Sequence, residues 1–338
     1  MGLDLKEAHA EVSRRLNRVD FGALLPGFRR CRFVLYDDSR VCLGEDCLPV
    51  DARFLGNTAI EYEGRQIAIW RLSGTPENYD ILAAALAHEM CHAFQVETGA
   101  AFPDEMLGIF YPRDLVNFTG KHKENLLLAE LLTEYDPGKW DKLLSLRAAR
   151  LKAAPAAVGY EIKAEGIEGQ AKFVELSALK RLSSEGYGAV LDKTIRNLRD
   201  PRAVFNARLC CYDSGAALLA VAAANGLPAP DWADEERKAR QTELMSGPDL
   251  SAEYREYFSA VDALVNGALA KAEKMEPCGG MLFGFDPYNV RASGNNLYHP
   301  SFIMCGEKNA KPACFMGSYV TIMKGPTRQI EAVYKVKP

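Results

Sequence analysis

Apolar Leu5, Ala8, Val12 and Leu16 recur at helical spacing with Arg and Glu residues opposite them, so an amphipathic helix is expected over residues 4–18. Arg30 to Asp38 (RCRFVLYDD) reads as a strand. Asn57 to Leu72 reads as a hairpin around Glu63-Gly64, its second arm alternating Ile67 and Ile69 with Ala68 and Trp70. The turn-rich SGTPEN then leads into a long helical run from Tyr79 to about Val96. Pro76 and Glu77 suit its first turn, and Gly99 follows its end. A loop is expected over 99–114. Helical patterns return at about 124–134 and 139–151, break at KAAPAAVG, and resume from Tyr160 to Leu182. Another helix covers about 204–225 and stops at Asn225-Gly226. After the Pro-rich LPAPDW linker, residues 231–245 and 250–273 read as helical again.

The pattern changes at Pro277. From there Gly and Pro punctuate short runs rich in Val, Tyr, Ile and Phe, and MLFGF, SFIMC, SYVTIM and IEAVYKV read as strands. The expected fold class is therefore α+β: a mostly helical region over residues 1–273 with an α/β part at its N-terminus, and a small β-rich C-terminal domain over 274–338. A length of 338 residues suits two domains.

A formal charge of −4 and no basic stripe argue against a general nucleic-acid partner. No window of 18 apolar residues suggests a membrane span; GAALLAVAAA (Gly215 to Ala224) is too short. The first 20 residues lack the apolar stretch of a secretory signal. The nine cysteines, at 31, 42, 47, 91, 210, 211, 278, 305 and 314, form no regular framework. Reduced thiols and a cytoplasmic location are expected.

The segment LAHEMCHAFQ changes the picture. His88, Glu89 and His92 form H-E-x-x-H inside the expected helix. Positions four apart on a helix differ by about 40° of rotation and about 6 Å of rise, so both imidazoles reach one cation. Glu89 lies about 100° round from His88, where its carboxylate flanks a metal as a general base instead of ligating it. A catalytic zinc needs a third protein ligand and an open position. A third histidine six residues past His92 is absent, because Thr98 stands there and Gln95 stands where that pattern has glycine. His122 and His299 have no supporting context. A carboxylate on the helix Tyr160 to Leu182 is the better candidate: Glu168 opens E-G-x-A-x-F (Glu168, Gly169, Ala171, Phe173), with Glu165 as the rival on the same face.

HEMCH followed by EGQAKF resembles the gluzincin zinc metallopeptidases, and in particular their aminopeptidase branch, where a Glu opening E-G-x-A-x-[YF] is the third ligand. The resemblance implies a zincin-like metallopeptidase domain, one Zn²⁺ per chain held by His88, His92 and Glu168, and small residues that let the second helix pack closely on the first. Tyr212-x-x-Gly215-x-Ala217-Leu218-Leu219 resembles the family's Y-x-x-G-x-A-L-L stretch, which implies that Tyr212 donates to the oxyanion. Three features depart from the family: a helical insertion separates His92 from Glu168, Ile167 stands where Asn is usual, and no motif for a free substrate amine is present. GNTAI (Gly56 to Ile60), on an expected edge strand, lacks the acidic residue of that motif.

The implied activity is zinc-dependent hydrolysis of a peptide bond in a peptide or protein substrate, with Glu89 as general base. The alternative is a zinc-binding interaction protein without general proteolytic activity, docking through its C-terminal domain. Cys278, His299, Cys305 and Cys314 are too irregularly spaced to favour a second, structural zinc site. Cys91 and the Cys210-Cys211 pair read as buried small hydrophobes. DWADEERKAR (Asp231 to Arg240) reads as a solvated helix face.

Overall fold

The computed structural model describes residues 4–228, 230, 247–275 and 280–337. About half of the chain is helical and its C-terminal region is β-rich, in line with the expected α+β class. Helix α1 (Leu5–Leu16) is capped by Asp4, whose carboxylate accepts from the backbone N–H groups of Lys6 and Glu7; it buries Leu5, Ala8, Val12 and Leu16. Strands β1 (Phe33–Tyr36), β2 (Arg40–Cys42), β3 (Cys47–Pro49), β4 (Thr58–Tyr62) and β5 (Arg65–Arg71) form one sheet in the order β3-β2-β1-β5-β4. Only β1 and β5 run parallel. The β4–β5 hairpin turns at Glu63 and Gly64, both at positive φ (53° and 74°), as a tight two-residue turn needs. β4 is one of the two edge strands, and an edge strand is where Thr58, Ala59 and Ile60 are expected.

The short β2–β3 hairpin has no counterpart in the sequence reading, and it corrects the expectation of reduced thiols. Cys42 and Cys47 face each other across it, with Cα atoms 4.2 Å apart, and are joined in a disulfide. Cys31, Cys91, Cys210, Cys211 and Cys314 keep free thiols.

Helix α2 (Tyr79–Glu97) is capped by Asn78, which accepts from the N–H groups of Asp80 and Ile81. Pro76 and Glu77 therefore precede the cap instead of forming the first turn. Gly99, at φ 72°, follows its end. Leu82, Leu86 and Met90 of α2 join the face of α1, the inner sheet face and Val174, Ala178 and Leu179 in one core. Val34, Tyr62, Ile67 and Ile69 form a smaller core on the opposite sheet face.

The rest of the helical region is more broken than its periodicity suggests. Helix α3 (Glu105–Ile109) lies in the segment expected to be a loop. Helix α4 (Leu115–Leu131) starts well before residue 124, because its first turns bury the polar Asn117, Lys121 and His122 and so hide the apolar period. After α5 (Pro137–Ala153), Pro155 opens helix α6 (Pro155–Ala164) instead of breaking one. The expected helix Tyr160 to Leu182 is thus α6, a π-helical turn (Glu165–Gly169) and α7 (Gln170–Leu182). Helix α8 (Ser184–Arg199), capped by Ser183, was not foreseen. A 3₁₀ turn (Pro201–Phe205), α9 (Ala207–Ala224) and α10 (Ser251–Ala270) follow. The helix expected at 231–245 and the DWADEERKAR run lie outside the described residues.

Among the described residues α9 alone is long and apolar enough to cross a membrane by length and composition. It is the central helix of the bundle, 61% buried, and packs on α4, α7, α8 and the π turn.

The C-terminal strands are β6 (Ala272–Lys274), β7 (Met281–Phe285), β8 (Arg291–Ser293), β9 (Asn296–His299), β10 (Phe302–Gly306), β11 (Ala313–Met316), β12 (Tyr319–Met323) and β13 (Ile330–Val336). They form two antiparallel sheets, β6-β13-β12-β9-β8 and β11-β10-β7. The four expected strands are β7, β10, β12 and β13. β6 straddles the 273/274 boundary and pairs with β13. Met106 of α3 is fully buried in this region's core, among Leu282, Leu297, Ile303 and Val333.

Candidate metal centre

His88 and His92 share the face of α2 that meets the π turn, and their imidazoles stand edge to face with centroids 4.8 Å apart. The Nε2 atoms are 3.2 Å apart. Glu168 Oε2 lies 3.2 Å from His92 Nε2 and 3.9 Å from His88 Nε2. These three side chains are the only group among the described residues that can hold a metal ion. Glu168 is 5% exposed and His88 8%, so the centre is buried.

The surrounding hydrogen bonds decide which ring nitrogens face inward. Gln95 donates through Nε2 to the carbonyl of Ile167 and to Gln170 Oε1, both at 3.0 Å, which turns its Oε1 towards His92 Nδ1 at 2.8 Å. His92 therefore carries its proton on Nδ1 and points a lone pair inward from Nε2. His88 Nδ1 lies 3.3 Å from Glu175 Oε2, a charge contact off the hydrogen-bond line, and its Nε2 likewise faces the centre. Glu168 Oε2 has no hydrogen-bond donor. Three buried lone pairs without a donor between them are costly unless a cation sits among them.

Arg208 on α9 donates to Glu168 Oε1 at 2.5 Å and also holds Glu105 of α3. It leaves Oε2 as the inward oxygen. Burial pushes the Glu168 carboxyl up, but the close approach of His92 and the charge of Arg208 outweigh it and hold its pKa at about 2. Burial opposes charge on His92 as well, yet Glu168 and Glu89 raise its pKa above the usual imidazole value.

Glu89 is 8% exposed and accepts no hydrogen bond among the described residues. Burial raises its pKa, against the pull of the two histidines. Tyr212 stacks its ring nearly parallel to His88, at 7° and 5.9 Å between centroids, and its hydroxyl meets that of Tyr288 at 2.8 Å. Burial and Glu168 push the Tyr212 phenol far up, so it stays protonated.

Glu165, the rival ligand, is not at the centre. It accepts from Lys121 Nζ at 2.7 Å, Ser214 Oγ at 2.5 Å and Arg147 Nη1 and Nη2 at 2.5 and 3.0 Å. The expectation that Glu165 and Glu168 share a face assumes an α-helix. In the wider π turn three steps fall further short of a full turn, which sends the two carboxylates to opposite sides. The small residues of EGQA serve two neighbours: Ala171 packs in the core with α2, whereas Gly169 meets Gly215 of α9 backbone to backbone.

Gln95, Glu175, Arg208, Glu105 and Tyr288 escaped the sequence reading. Gln95 is one turn past His92, Glu175 is seven residues past Glu168, and Arg208 is four before Tyr212, so helical spacing could have found these three. Glu105 and Tyr288 carry no local signal. His122 and His299 are buried elsewhere, with His299 Nε2 2.9 Å from Thr321 Oγ1. Cys305 and Cys314 sit at adjacent rungs of the β10–β11 ladder, one buried and one exposed, so they face opposite ways. Cys278 lies outside the described residues. No protein-family model, curated protein or solved structure matches the chain.

Proposed function

We propose that this protein is a zincin-like, gluzincin-type hydrolase that uses Zn²⁺ to cleave peptide bonds. The observation that carries the reading is the convergence of His88 Nε2, His92 Nε2 and Glu168 Oε2 with Glu89 beside them. Sides of 3.2, 3.2 and 3.9 Å define a circle of about 2.0 Å radius, matching the 2.0–2.2 Å of Zn–N and Zn–O bonds. Two imidazoles and one carboxylate, with Gln95 and Glu175 behind the rings, are a donor set of catalytic zinc. The edge strand β4, packed beside α2, supports the reading further, since a peptide can add to a free sheet edge.

Zinc, when bound there, supplies a Lewis acid that lowers the pKa of water and polarises a carbonyl. Glu89 takes the proton of the attacking water. Its raised pKa makes it a stronger base for that step, and it then passes the proton to the far more basic leaving amine nitrogen. Tyr212 keeps its phenolic proton and donates it as a hydrogen bond to the carbonyl oxygen as negative charge grows there, once the oxygen replaces Tyr288 as its partner. Arg208 keeps Glu168 oriented.

The test is elemental analysis of wild type, His92→Ala and Glu168→Gln beside peptide-library cleavage by wild type, Glu89→Gln and Tyr212→Phe. One zinc per wild-type chain, lost or weakened in both ligand variants, is expected. Glu89→Gln should keep zinc and lose turnover, and Tyr212→Phe should lower kcat by roughly 10²–10³-fold. A wild type that takes no zinc on reconstitution, or cleavage undiminished in Glu89→Gln, overturns the reading. Full zinc occupancy without cleavage of any peptide leaves a zinc-binding interaction protein.

A further inference from the structure

A second feature adjoins the centre through Arg208. A cavity of about 370 Å³ lies between α3, α6, the start of α9, α10 and the Pro287–Gly294 segment of the β-rich region. Its walls are largely aromatic, with Tyr111, Phe118, Phe205, Tyr257 and Phe258. Most of its polar groups are already satisfied. Arg113 grips Asp262 at 2.7 and 3.0 Å and the carbonyl of Ala292 at 2.8 Å. Arg291 Nη1 donates to the carbonyls of Tyr288 and Val290.

Two buried groups on the lining are not satisfied. The hydroxyl of Tyr160, a residue 3% exposed, and Arg208 Nε make no well-aligned hydrogen bond, although the two side chains lie beside one another. Gly108 makes room for that hydroxyl, because a Cβ there would stand only 2.2 Å from it. Native interiors seldom leave such donors unpaired, so an orphaned pair on a cavity wall marks a place for an acceptor. The charge of Arg208 is already matched by Glu105 and Glu168. One N–H and one O–H beside a neutralised guanidinium suit an uncharged carbonyl better than a carboxylate. The volume falls at the small end of ligand pockets, roughly 300–1,000 Å³, which is room for one large residue.

We propose that this cavity is the substrate's side-chain pocket, taking one bulky apolar residue, aromatic by preference, whose neutral amide carbonyl accepts from Arg208 Nε and Tyr160 Oη. The proposal rests on the peptide reading for the identity of its ligand, and its test does not depend on turnover.

The probe is N-acetylphenylalaninamide, titrated calorimetrically into the full-length Glu89→Gln chain, zinc-loaded and after chelation. One saturable site is expected in both states. Val261→Trp and, from a second lining element, Ala292→Phe fill the cavity and should abolish binding. Tyr160→Phe should weaken it about fivefold to tenfold. The anionic N-acetylphenylalaninate should bind more weakly than the amide. The proposal is overturned by no binding to wild-type-like protein, by binding that survives both cavity-filling variants, or by tighter binding of the carboxylate, which would mark an anion site at Arg291. Amide binding without peptide cleavage would sink the hydrolase reading and leave the pocket standing. Cleavage without amide binding would do the reverse.

Discussion

Gly169 and Gly215 hold the turn that carries Glu168, the proposed third zinc ligand, and Gly169→Ala tests how tightly. A Cβ on Gly169 would lie 2.5 Å from Gly215 Cα, 2.8 Å from its carbonyl carbon and 3.1 Å from the nitrogen of Ala216. All three are backbone atoms, so no side chain can swing aside. Carbon atoms settle at about 3.5–4.0 Å, so the π turn and α9 must separate by about 1 Å or more. Glu168 is the neighbouring residue and moves with the turn, while His88 and His92 stay with α2. A metal site tolerates about 0.5 Å of such displacement. Overpacking of this kind costs about 1–3 kcal/mol, and zinc affinity should fall by about 10–100-fold. The control is Gly166→Ala in the same π turn, where a new Cβ meets nothing within 4 Å. That change should leave zinc affinity alone and stabilise the fold by up to about 1 kcal/mol through the unfolded chain. Chelator competition gives the affinities and urea melts the stabilities. Equal zinc affinity in both variants would refute the argument that the glycine contact sets the position of Glu168.

Three further outcomes follow from the same geometry. Glu175→Ala removes the carboxylate that faces His88 Nδ1 and should weaken zinc about 10–100-fold with little change in the metal-free melt; an unchanged affinity would show that His88 needs no such partner. Arg150 is fully buried between Glu124 and Glu161, so Arg150→Met removes a cation from both buried carboxylates, leaving Arg147 on Glu124 and Lys121 on Glu161, and should cost about 3 kcal/mol; a loss below about 1 kcal/mol in a urea melt would show that those two cations suffice. Burial lowers the His299 pKa to about 3, so below its unfolded value of 6.5 the unfolded chain binds a proton that the folded chain does not. Stability should therefore fall by up to about 1.4 kcal/mol per pH unit from pH 6.5 down to 3, and His299→Gln should flatten that part of the profile; identical profiles would exclude a buried neutral imidazole.

Local signals were legible and distant ones were not. The H-E-x-x-H helix, its Gly99 stop, the Glu63-Gly64 hairpin and the four main C-terminal strands each follow from patterns contained within about twenty residues. Glu168 was legible because E-G-x-A-x-F is equally local. Its separation from Glu165 was not, because a π turn is decided by what the two carboxylates meet: Lys121, Arg147 and Ser214 on one side, the histidines on the other. The first turns of α4 were hidden for a related reason. Asn117, Lys121 and Glu124 look solvated in sequence, yet all are buried, since Arg147 and Arg150 arrive from α5 to pair or hydrogen-bond with them or their partners. α8 could have been read from its Ser183 cap and amphipathic spacing. The Cys42–Cys47 bond needed the β2–β3 register, which three-residue strands do not announce.

Met106 gives the chain an order of assembly. This side chain completes a core whose other buried members come from residues 282–333, although it is carried on α3, beside the Glu105 that Arg208 grips. During synthesis from the N-terminus at about 5–20 residues per second, the first of those partners follows Met106 by roughly 10–35 s. α1, the five-stranded sheet and α2 can pair as they emerge, but Met106 of α3 lacks its core until residues 282–333 appear. The ribosome therefore releases the two histidines well before the strands that bury Met106, and α3, with the Glu105 that Arg208 grips, completes its packing only after them.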